Sequence, residues 1–356
     1  MLRATLATGV LACLLAACGA PAAAPPAASS PAQPTPAAAA NSPAQQAPPT
    51  TGSAPTAPAA SPQRVTMGNA SPSLSYLPAT LADKLGYYRE EGLAPEFPAV
   101  RGNAVIPALL QGDLDFTTLL SVVGASAGQG GATRIVQFHS IKLQHVVVAH
   151  PDITTVQQLA GKRIAVESFA TLPAFEARKL IEHFALPDVA LVAVGGESER
   201  LAALEAGAAD ASMSGIPANL VAEHHGFPTI FRLSTILEVP QAGFGTSDRL
   251  LSEQPDRVTR VLRAAARALP IITSQRDLVV EQIAAIMDLT PEDAARAYDL
   301  VVDTYSPNGV PTDAQLAAYM DLLNATAGVP ADTDPARLTD FTIARRVAAE
   351  LGLPSE

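Results

Sequence analysis

The chain has 356 residues, of which 48% are hydrophobic and 4% aromatic, and its formal net charge is −11. With 23 basic against 34 acidic residues it offers no broad basic surface for a phosphate backbone, so we expect no nucleic-acid partner. Its two cysteines, Cys13 and Cys18, both lie near the N-terminus, and this excludes disulfides, thiolate zinc sites and a cysteine nucleophile from the rest of the chain.

The N-terminus has the pattern of a secretory signal. Arg3 precedes an apolar run at residues 4–15 that is too short to remain as a membrane-spanning helix. The small residues Ala16 and Ala17 come directly before Cys18, and this ending resembles the lipobox, which is cleaved ahead of a cysteine that then carries lipid. We therefore predict a signal peptide at residues 1–17 and a palmitate-type lipid anchor on Cys18 at the extracytoplasmic face of the cell membrane. An ordinary signal-peptidase site is the alternative.

The next segment has the composition of a disordered linker. Residues 19–62 contain 12 prolines together with many Ala, Ser, Thr and Gln residues, and they contain no charged or aromatic side chain. Such a segment has too little apolar bulk to form a core. We predict a lipidated Pro/Ala-rich tether at residues 18–62.

From Arg64 onward, short β-rich segments alternate with amphipathic segments of helical length, which predicts a parallel sheet covered by helices. Strands are predicted at residues 64–67, 96–100, 116–120 and 134–138. Leucines at helical spacing predict a helix that ends before Gly86, and a second helix surrounds Leu109. Residues 144–149 and 241–246 are predicted crossings between lobes, and the helical C-terminal part has helix starts at Thr290 and Thr312.

One pattern occurs twice in the chain. Residues 108–117 and 203–212 both read as the end of a helix, a glycine cap, an aspartate and a strand. Only glycine enters the left-handed cap conformation at low cost, so each copy predicts a reversal from a helix onto a sheet. The repetition favours two similarly built lobes, although a chance match in an alanine-rich chain is the alternative.

Three segments together resemble a known family. They are residues 85–93 (LGYYREEGL), the two repeated units, and residues 159–166 (LAGKRIAV). Over residues 64–343 the chain resembles the type II solute-binding proteins of ABC importers, in the branch that binds taurine, alkanesulfonates, nitrate and thiamine precursors.

The resemblance implies an α/β, two-lobed type II periplasmic-binding-protein fold with hinge crossovers and a helical C-terminus. We expect residues 63–148 plus 241–356 to form lobe 1 and residues 149–240 to form lobe 2. The family further implies a cleft that closes about a hinge, and a membrane permease and its ATPase as partners. We expect a monomer that has no cofactor and is not an enzyme.

Ligands of parallel sheets bind beyond the carboxyl ends of the strands, where loops lead into helices with free N-terminal amides. For each candidate, helix capping, core packing or a surface position is an equally good alternative. The candidates in chain order are Asn69, Ser71, Tyr76, Leu120, Ser121, His139, Ser168, Phe169, Thr171, Ser214, Gly215 and Phe244.

These loops offer hydroxyls, an amide, an imidazole and aromatic rings, but few cations. They favour a neutral planar ligand that stacks on an aromatic ring, although amides at helix starts also hold anions. The resemblance is nearest to binders of thiamine pyrimidine precursors and of riboflavin, with riboflavin slightly ahead. An alkanesulfonate or nitrate binder is an alternative, as is, in another class, a thiamine-pyrimidine-synthase-like enzyme or a tethered scaffold.

Three further patterns favour structural over catalytic roles. Residues 124–128 match a nucleophile elbow, but Ser126 falls inside a predicted helix rather than at a strand-to-helix turn. His224 and His225 are adjacent and lack a partner four residues away, so no metal site is expected. Glu197, Glu199 and Glu205 are interpreted as an exposed charged helix face.

Overall fold

Two five-stranded sheets organise the fold of this computed structural model, which describes residues 61–69 and 73–355. The predicted signal peptide, the tether up to residue 60, the lipidation site Cys18 and the candidate Ser71 lie outside the described residues. The strands are β1 (Gln63–Gly68), β2 (Leu93–Glu96), β3 (Phe116–Thr117), β4 (Thr133–Ser140), β5 (His145–Ala149), β6 (Arg163–Val166), β7 (Ala190–Ala193), β8 (Ala211–Gly215), β9 (Thr229–Arg232) and β10 (Ala242–Ser247).

Helices cover both sheets and make up most of the chain after β10. They are α1 (Leu77–Lys84), α2 (Tyr87–Glu90), α3 (Gly102–Gln111), α4 (Leu120–Gly128), α5 (Leu172–His183), α6 (Glu197–Glu205), α7 (Ala218–His224), α8 (Asp248–Glu253), α9 (Pro255–Ser274), α10 (Arg276–Met287), α11 (Pro291–Val301), α12 (Asp313–Ala327) and α13 (Thr342–Glu350). No helix in the described part of the chain is long and apolar enough to span a bilayer.

The two sheets have the same construction. The first has the order β2-β1-β3-β10-β4 and the second the order β7-β6-β8-β5-β9. In each, three neighbouring strands are parallel, and the fourth strand, β10 or β5, is antiparallel to both of its neighbours. This arrangement confirms the predicted α/β class with two similarly built halves.

The repeated sequence unit forms the same contacts in both sheets. Gly112 and Gly207 adopt positive φ angles of 88° and 64° where α3 and α6 end. Asp115 then accepts a hydrogen bond from the backbone N of Thr66 on β1 at 2.8 Å, and Asp210 accepts one from the backbone N of Arg163 on β6 at 2.8 Å. The aspartate thus ties the start of one strand to its parallel neighbour, which gives the repetition a structural cause.

The chain passes between the sheets at residues 141–144 and 233–241. The predicted crossing strands are β5 and β10, which each lie wholly within one sheet, so the crossings occur just before them. Gln144 holds this region together, because its side chain accepts from Ser75 Oγ at 3.1 Å and donates to Thr304 Oγ1 at 2.8 Å. Its backbone N also donates to Gln241 Oε1 at 3.0 Å, which links the two crossings.

Two strand predictions were wrong in their bounds. The strand predicted at 96–100 lies at Leu93–Glu96, because pairing with β1 sets its position, and beyond it Ala99 keeps a single bridge to Asn69. The strand predicted at 116–120 ends at Thr117, since α4 already begins at Leu120. The helix starts at Thr290 and Thr312 are confirmed, and both hydroxyls accept from a backbone N–H in the first turn.

Candidate functional site

A cavity of about 620 Å³ lies where both sheets present the carboxyl ends of their strands. The first sheet contributes the entry to α3 and the β3–α4 junction, while the second contributes the loop between β6 and α5. Gln241 at the crossing and one side of α12 complete the wall. Its lining includes Ser73, Tyr76, Asn103, Thr118, Leu120, Ser121, Glu167, Ala170, Thr171, Gln241, Tyr319 and Leu322. This is the position at which open parallel sheets bind ligands.

Two polar side chains in this wall are equipped to contact a ligand. The Thr118 residue is 2% exposed, and its hydroxyl faces the Tyr76 phenol, with which it makes at most a hydrogen bond of imperfect geometry. A buried hydroxyl whose hydrogen bond is not well formed carries a desolvation cost that a ligand can offset. Burial raises the pKa of the Tyr76 phenol, so this group is a neutral donor and an aromatic face at physiological pH.

The charge of the cavity wall is negative. Among the residues that line it, Glu167 is the one with a charged side chain. Arg134 pairs with Asp248 at 3.5 Å and Lys142 pairs with Glu238 at 3.3 Å, and neither lines the cavity, whereas Arg101 directly precedes the lining residues Gly102 and Asn103. A wall with one carboxylate and no guanidinium or ammonium group favours a neutral or amino-bearing ligand over an anion.

Four predicted site residues, Tyr76, Leu120, Ser121 and Thr171, meet at this cavity. Asn69 lines a neighbouring cavity of about 500 Å³ that also contacts Tyr76. Ser168 and Phe169 lie in the same β6–α5 loop as Glu167, and Phe169 is 59% exposed. The Thr171 hydroxyl donates to the carbonyl of Ser168 at 2.8 Å, so it braces this loop.

His139 and Phe244 occupy the core and do not line the cavity. Both are fully buried, and their rings meet edge to face at 4.6 Å. The prediction placed His139 after the end of its strand, but β4 continues to Ser140 and turns the imidazole inward. Burial lowers the pKa of His139 to about 3, which keeps the ring neutral. For Phe244, the structure shows the alternative that the sequence left open, which is packing in the core. We leave both His139 and Phe244 out of the proposed site.

Ser214 and Gly215 lie at the carboxyl end of β8, as predicted, but an internal carboxylate already engages them. Glu197 Oε2 accepts from Ser214 Oγ at 3.1 Å, and Glu197 Oε1 accepts from the backbone N of Gly215 at 2.9 Å. Glu197 was interpreted as part of an exposed charged face, and its side chain is 39% exposed, but its carboxylate is engaged by these two donors of β8. Glu199, on the same helix, is exposed as expected.

A further cavity of about 840 Å³ is set apart from the strand ends. It lies beside α7, β9 and α11, and its charged side chains form ion pairs across it, including Glu223 with Arg296. Its lining comes from β9, from the segments on either side of β9, and from α11, and it includes none of the loops that follow β1, β3 and β6. We therefore place the candidate site in the 620 Å³ cavity, although that space is smaller.

The motifs considered for catalysis or metal binding have other roles. Ser126 lies inside α4, away from any strand-to-helix turn. His224 pairs with Asp293 at 3.2 Å and His225 pairs with Glu205 at 2.7 Å. Residues 61–69 and 73–355 contain no cluster of three or more His, Cys, Asp or Glu side chains suited to a metal ion.

Sequence reasoning missed several lining residues. Thr118 directly follows β3 and could have been found had the end of that strand been placed correctly, whereas Glu167 directly follows β6, whose end was placed correctly, and was passed over for Ser168. Tyr319 and Leu322 had no such signal, because α12 reaches the cavity only through long-range packing. The Tyr319 hydroxyl donates to the carbonyl of Leu120 at 2.8 Å, which fixes α12 against the first turn of α4.

A family model described as NMT1/THI5 like matches residues 74–277. No curated protein matches the sequence. Among solved structures, a putative sulfonate ABC transporter protein from Methylobacillus flagellatus KT, the periplasmic sulfonate-binding protein SsuA, aligns with a TM-score of 0.65 and 16% identity over 82% of this chain and 96% of its own.

The ligand-binding component of an ABC-type import system from Staphylococcus aureus, with zinc bound, aligns with a TM-score of 0.64 and 12% identity over 80% of this chain and 99% of its own. The desulfurization enzyme DSZB aligns with a TM-score of 0.61 and 15% identity over 81% of this chain and 99% of its own. At such identities the likeness is one of fold, and it confirms the periplasmic-binding-protein architecture. Binding proteins and an enzyme share this architecture, so function depends on the site.

Proposed function

Because the chain belongs to the NMT1/THI5-like family, we propose that it is the solute-binding lipoprotein of an ABC importer. It captures a small heteroaromatic vitamin or precursor, with riboflavin as the first candidate, and delivers it to a membrane permease that an ATPase drives. The observation that carries the proposal is the cavity of about 620 Å³ at the strand ends of both sheets, whose lining has one carboxylate and no cation.

The chemistry of the wall supports the ligand class. Tyr76 offers an aromatic face, Thr118 offers a buried hydroxyl beside the Tyr76 phenol, and Asn103 and Gln241 offer amides that pair with ring nitrogens and carbonyls. The exposed Phe169 stands in the loop that brings Glu167 and Thr171 to the cavity, and closing the loop over a planar ligand would bury its ring. A thiamine pyrimidine precursor fits the same wall, with its amino group facing Glu167.

We further propose that the protein acts at the extracytoplasmic face of the cell membrane, anchored through Cys18, with lobe boundaries at the two crossings. The sequence before residue 61 supports the anchor, and the passage of the chain between the two sheets at residues 141–144 and 233–241 supports the boundaries.

An alkanesulfonate or a similar anion is the second candidate, because a structural neighbour is a sulfonate-binding protein. Amides at the starts of α3 and α4 suit an anion. The negative wall opposes it, since Glu167 would repel a sulfonate in a space of low dielectric. The enzyme DSZB shares the fold, but no cysteine occurs after Cys18 in this chain, and Ser126 is not at an elbow.

Equilibrium titration of the full chain tests the proposal, with riboflavin, an aminopyrimidine thiamine precursor and taurine as probes. We expect riboflavin or the aminopyrimidine to bind at micromolar concentrations and taurine not to bind. Thr118→Val should weaken binding about tenfold through loss of one buried hydrogen bond. Glu167→Gln should weaken the aminopyrimidine more than riboflavin, because only the former presents an amino group to the carboxylate.

Glu199→Gln is the matched control, since it removes an exposed carboxylate on the same lobe that does not line the cavity. Binding of taurine alone would replace the vitamin hypothesis with the sulfonate candidate. Absence of binding by all three probes, together with no small molecule released from the denatured protein, would contradict the proposed ligand class.

A further inference from the structure

The carboxylate of Glu197, the first residue of α6, interacts with three different kinds of hydrogen-bond donor. Its carboxylate accepts from the backbone N of Gly215 at 2.9 Å and from Ser214 Oγ at 3.1 Å, and it lies 2.6 Å from Arg200 Nη2. A backbone amide, a hydroxyl and a guanidinium converging on one group are the donors with which proteins bind oxyanions. The carboxylate therefore stands where a bound sulfate or sulfonate would stand.

The guanidinium in this cluster depends on that carboxylate. The Arg200 residue is 3% exposed, and its Nε has no partner among the described residues. Arg200 Nη1 donates to the carbonyl of Gly195 at 3.0 Å. Within the described residues, Glu197 supplies the carboxylate that pairs with the Arg200 guanidinium. Because an unpaired buried charge is costly, removing Glu197 would leave a strong requirement for another anion.

There is room for such an anion. The space for an anion beside these donors is the one that the Glu197 side chain occupies, and it adjoins a cavity of about 180 Å³ that Glu197, Ser212 and Ser214 line together with mainly apolar residues of α6 and α7. The Glu197 side chain is 39% exposed, so the cluster is connected to solvent. The cluster also lies at the carboxyl end of β8, the same edge of the second sheet from which the Glu167 loop reaches the main cavity.

We propose that Glu197 is a built-in anion that fills an oxyanion site on the second lobe and thereby excludes sulfate, sulfonate and nitrate-type ligands from it. Glu197 is then a specificity-determining residue, and its removal creates a site for small oxyanions. The consequence for ligand choice rests on the proposed function, whereas occupancy of the site by Glu197 does not. A structural ion pair with no ligand-like site around it is the competing explanation.

Thermal unfolding of the full chain with Glu197→Ala separates the two explanations. We expect the variant to melt about 4 °C below the wild type. Sulfate or methanesulfonate should restore about half or more of this loss in a saturable manner. Chloride at equal ionic strength should not, because it lacks the oxygen geometry that the amide, hydroxyl and guanidinium match.

Glu199→Ala is the control, since it removes an exposed carboxylate from the same helix turn. The wild type and this control should show no saturable response to sulfate. If Glu197→Ala does not fold unaided, its refolding yield from urea is compared in sulfate and chloride, and folding in sulfate alone supports the proposal. Unchanged melting, or equal behaviour in the two salts, would overturn it. These measurements use no vitamin, so their failure is distinct from failure of the proposed function.

Discussion

The buried imidazole of His139 makes the stability of this protein decrease in acid. Gln137 Nε2 donates to the carbonyl of Leu262 at 3.3 Å, so Gln137 Oε1 is left to accept from His139 Nε2 at 3.0 Å. The proton therefore sits on Nε2, and His139 Nδ1 is buried without a partner in the described structure. Protonating Nδ1 would place an uncompensated charge in the core.

Because burial lowers the pKa of His139 from 6.5 in the unfolded chain to about 3 in the fold, the unfolded state takes up the proton first. The contribution of His139 to the free energy of unfolding is complete above pH 6.5. It decreases as the pH falls toward 3, by about 1.4 kcal/mol per pH unit. Urea unfolding at pH 7.5 and pH 5 should show a smaller loss for His139→Gln than for the wild type. An equal loss in both proteins would contradict this assignment.

At the scale of single elements, the two aspartates of the repeated unit differ in burial. Asp115 Oδ2 accepts from Thr66 N at 2.8 Å and from Arg257 Nη2 at 2.6 Å, and its ion pair is 11% to 13% exposed. Asp210 makes matching bonds with Arg163, but that pair is 23% to 44% exposed.

Asp115→Ala should therefore lower the free energy of unfolding by about 3 kcal/mol, because it leaves the buried Arg257 guanidinium without its carboxylate partner. Asp210→Ala should cost roughly 1 to 2 kcal/mol. Urea unfolding of both variants measures the difference. Equal costs, or the reverse order, would show that burial does not separate the two copies.

The sequence pattern predicted those elements whose determinants are local. A glycine after a helix and an aspartate before a strand act within a few residues, as do the threonine caps at Thr290 and Thr312. The β2 bounds were not predicted because pairing with β1, some 30 residues away, decides them. The role of Glu197 was missed for the same reason, since its partners Ser214 and Gly215 are 17 and 18 residues further along the chain. For the candidate site, the rule that ligands bind where a strand leads into a helix identified the β3–α4 and β6–α5 loops. No sequence signal predicted that α12 would line the cavity.

At the scale of the whole molecule, ionic contacts join the second sheet and its helices to the C-terminal helices. Glu223 on α7 pairs with Arg296 on α11, and Arg232 at the end of β9 pairs with Asp303. Arg232 also donates to the carbonyl of Leu300 at 2.9 Å. These contacts lie apart from the cavity at the strand ends, so their removal takes away no contact with a ligand there.

Removing these contacts should shift the lobes toward a more open arrangement. Each partly exposed pair contributes about 1 kcal/mol or less to the free energy, and salt weakens it. The double variant Arg232→Gln with Arg296→Gln should therefore bind ligand a few-fold more weakly than the wild type, mostly at low ionic strength. Small-angle scattering of the full chain should show a larger radius of gyration than for the wild type. Arg276→Gln is the matched control, because Arg276 pairs with Asp299 at 3.1 Å within the C-terminal helices and does not join the lobes. Two outcomes would show that these pairs do not set the balance between open and closed lobes. One is an equal increase in the radius of gyration of the control, and the other is a double variant that has the dimensions and affinity of the wild type at low salt.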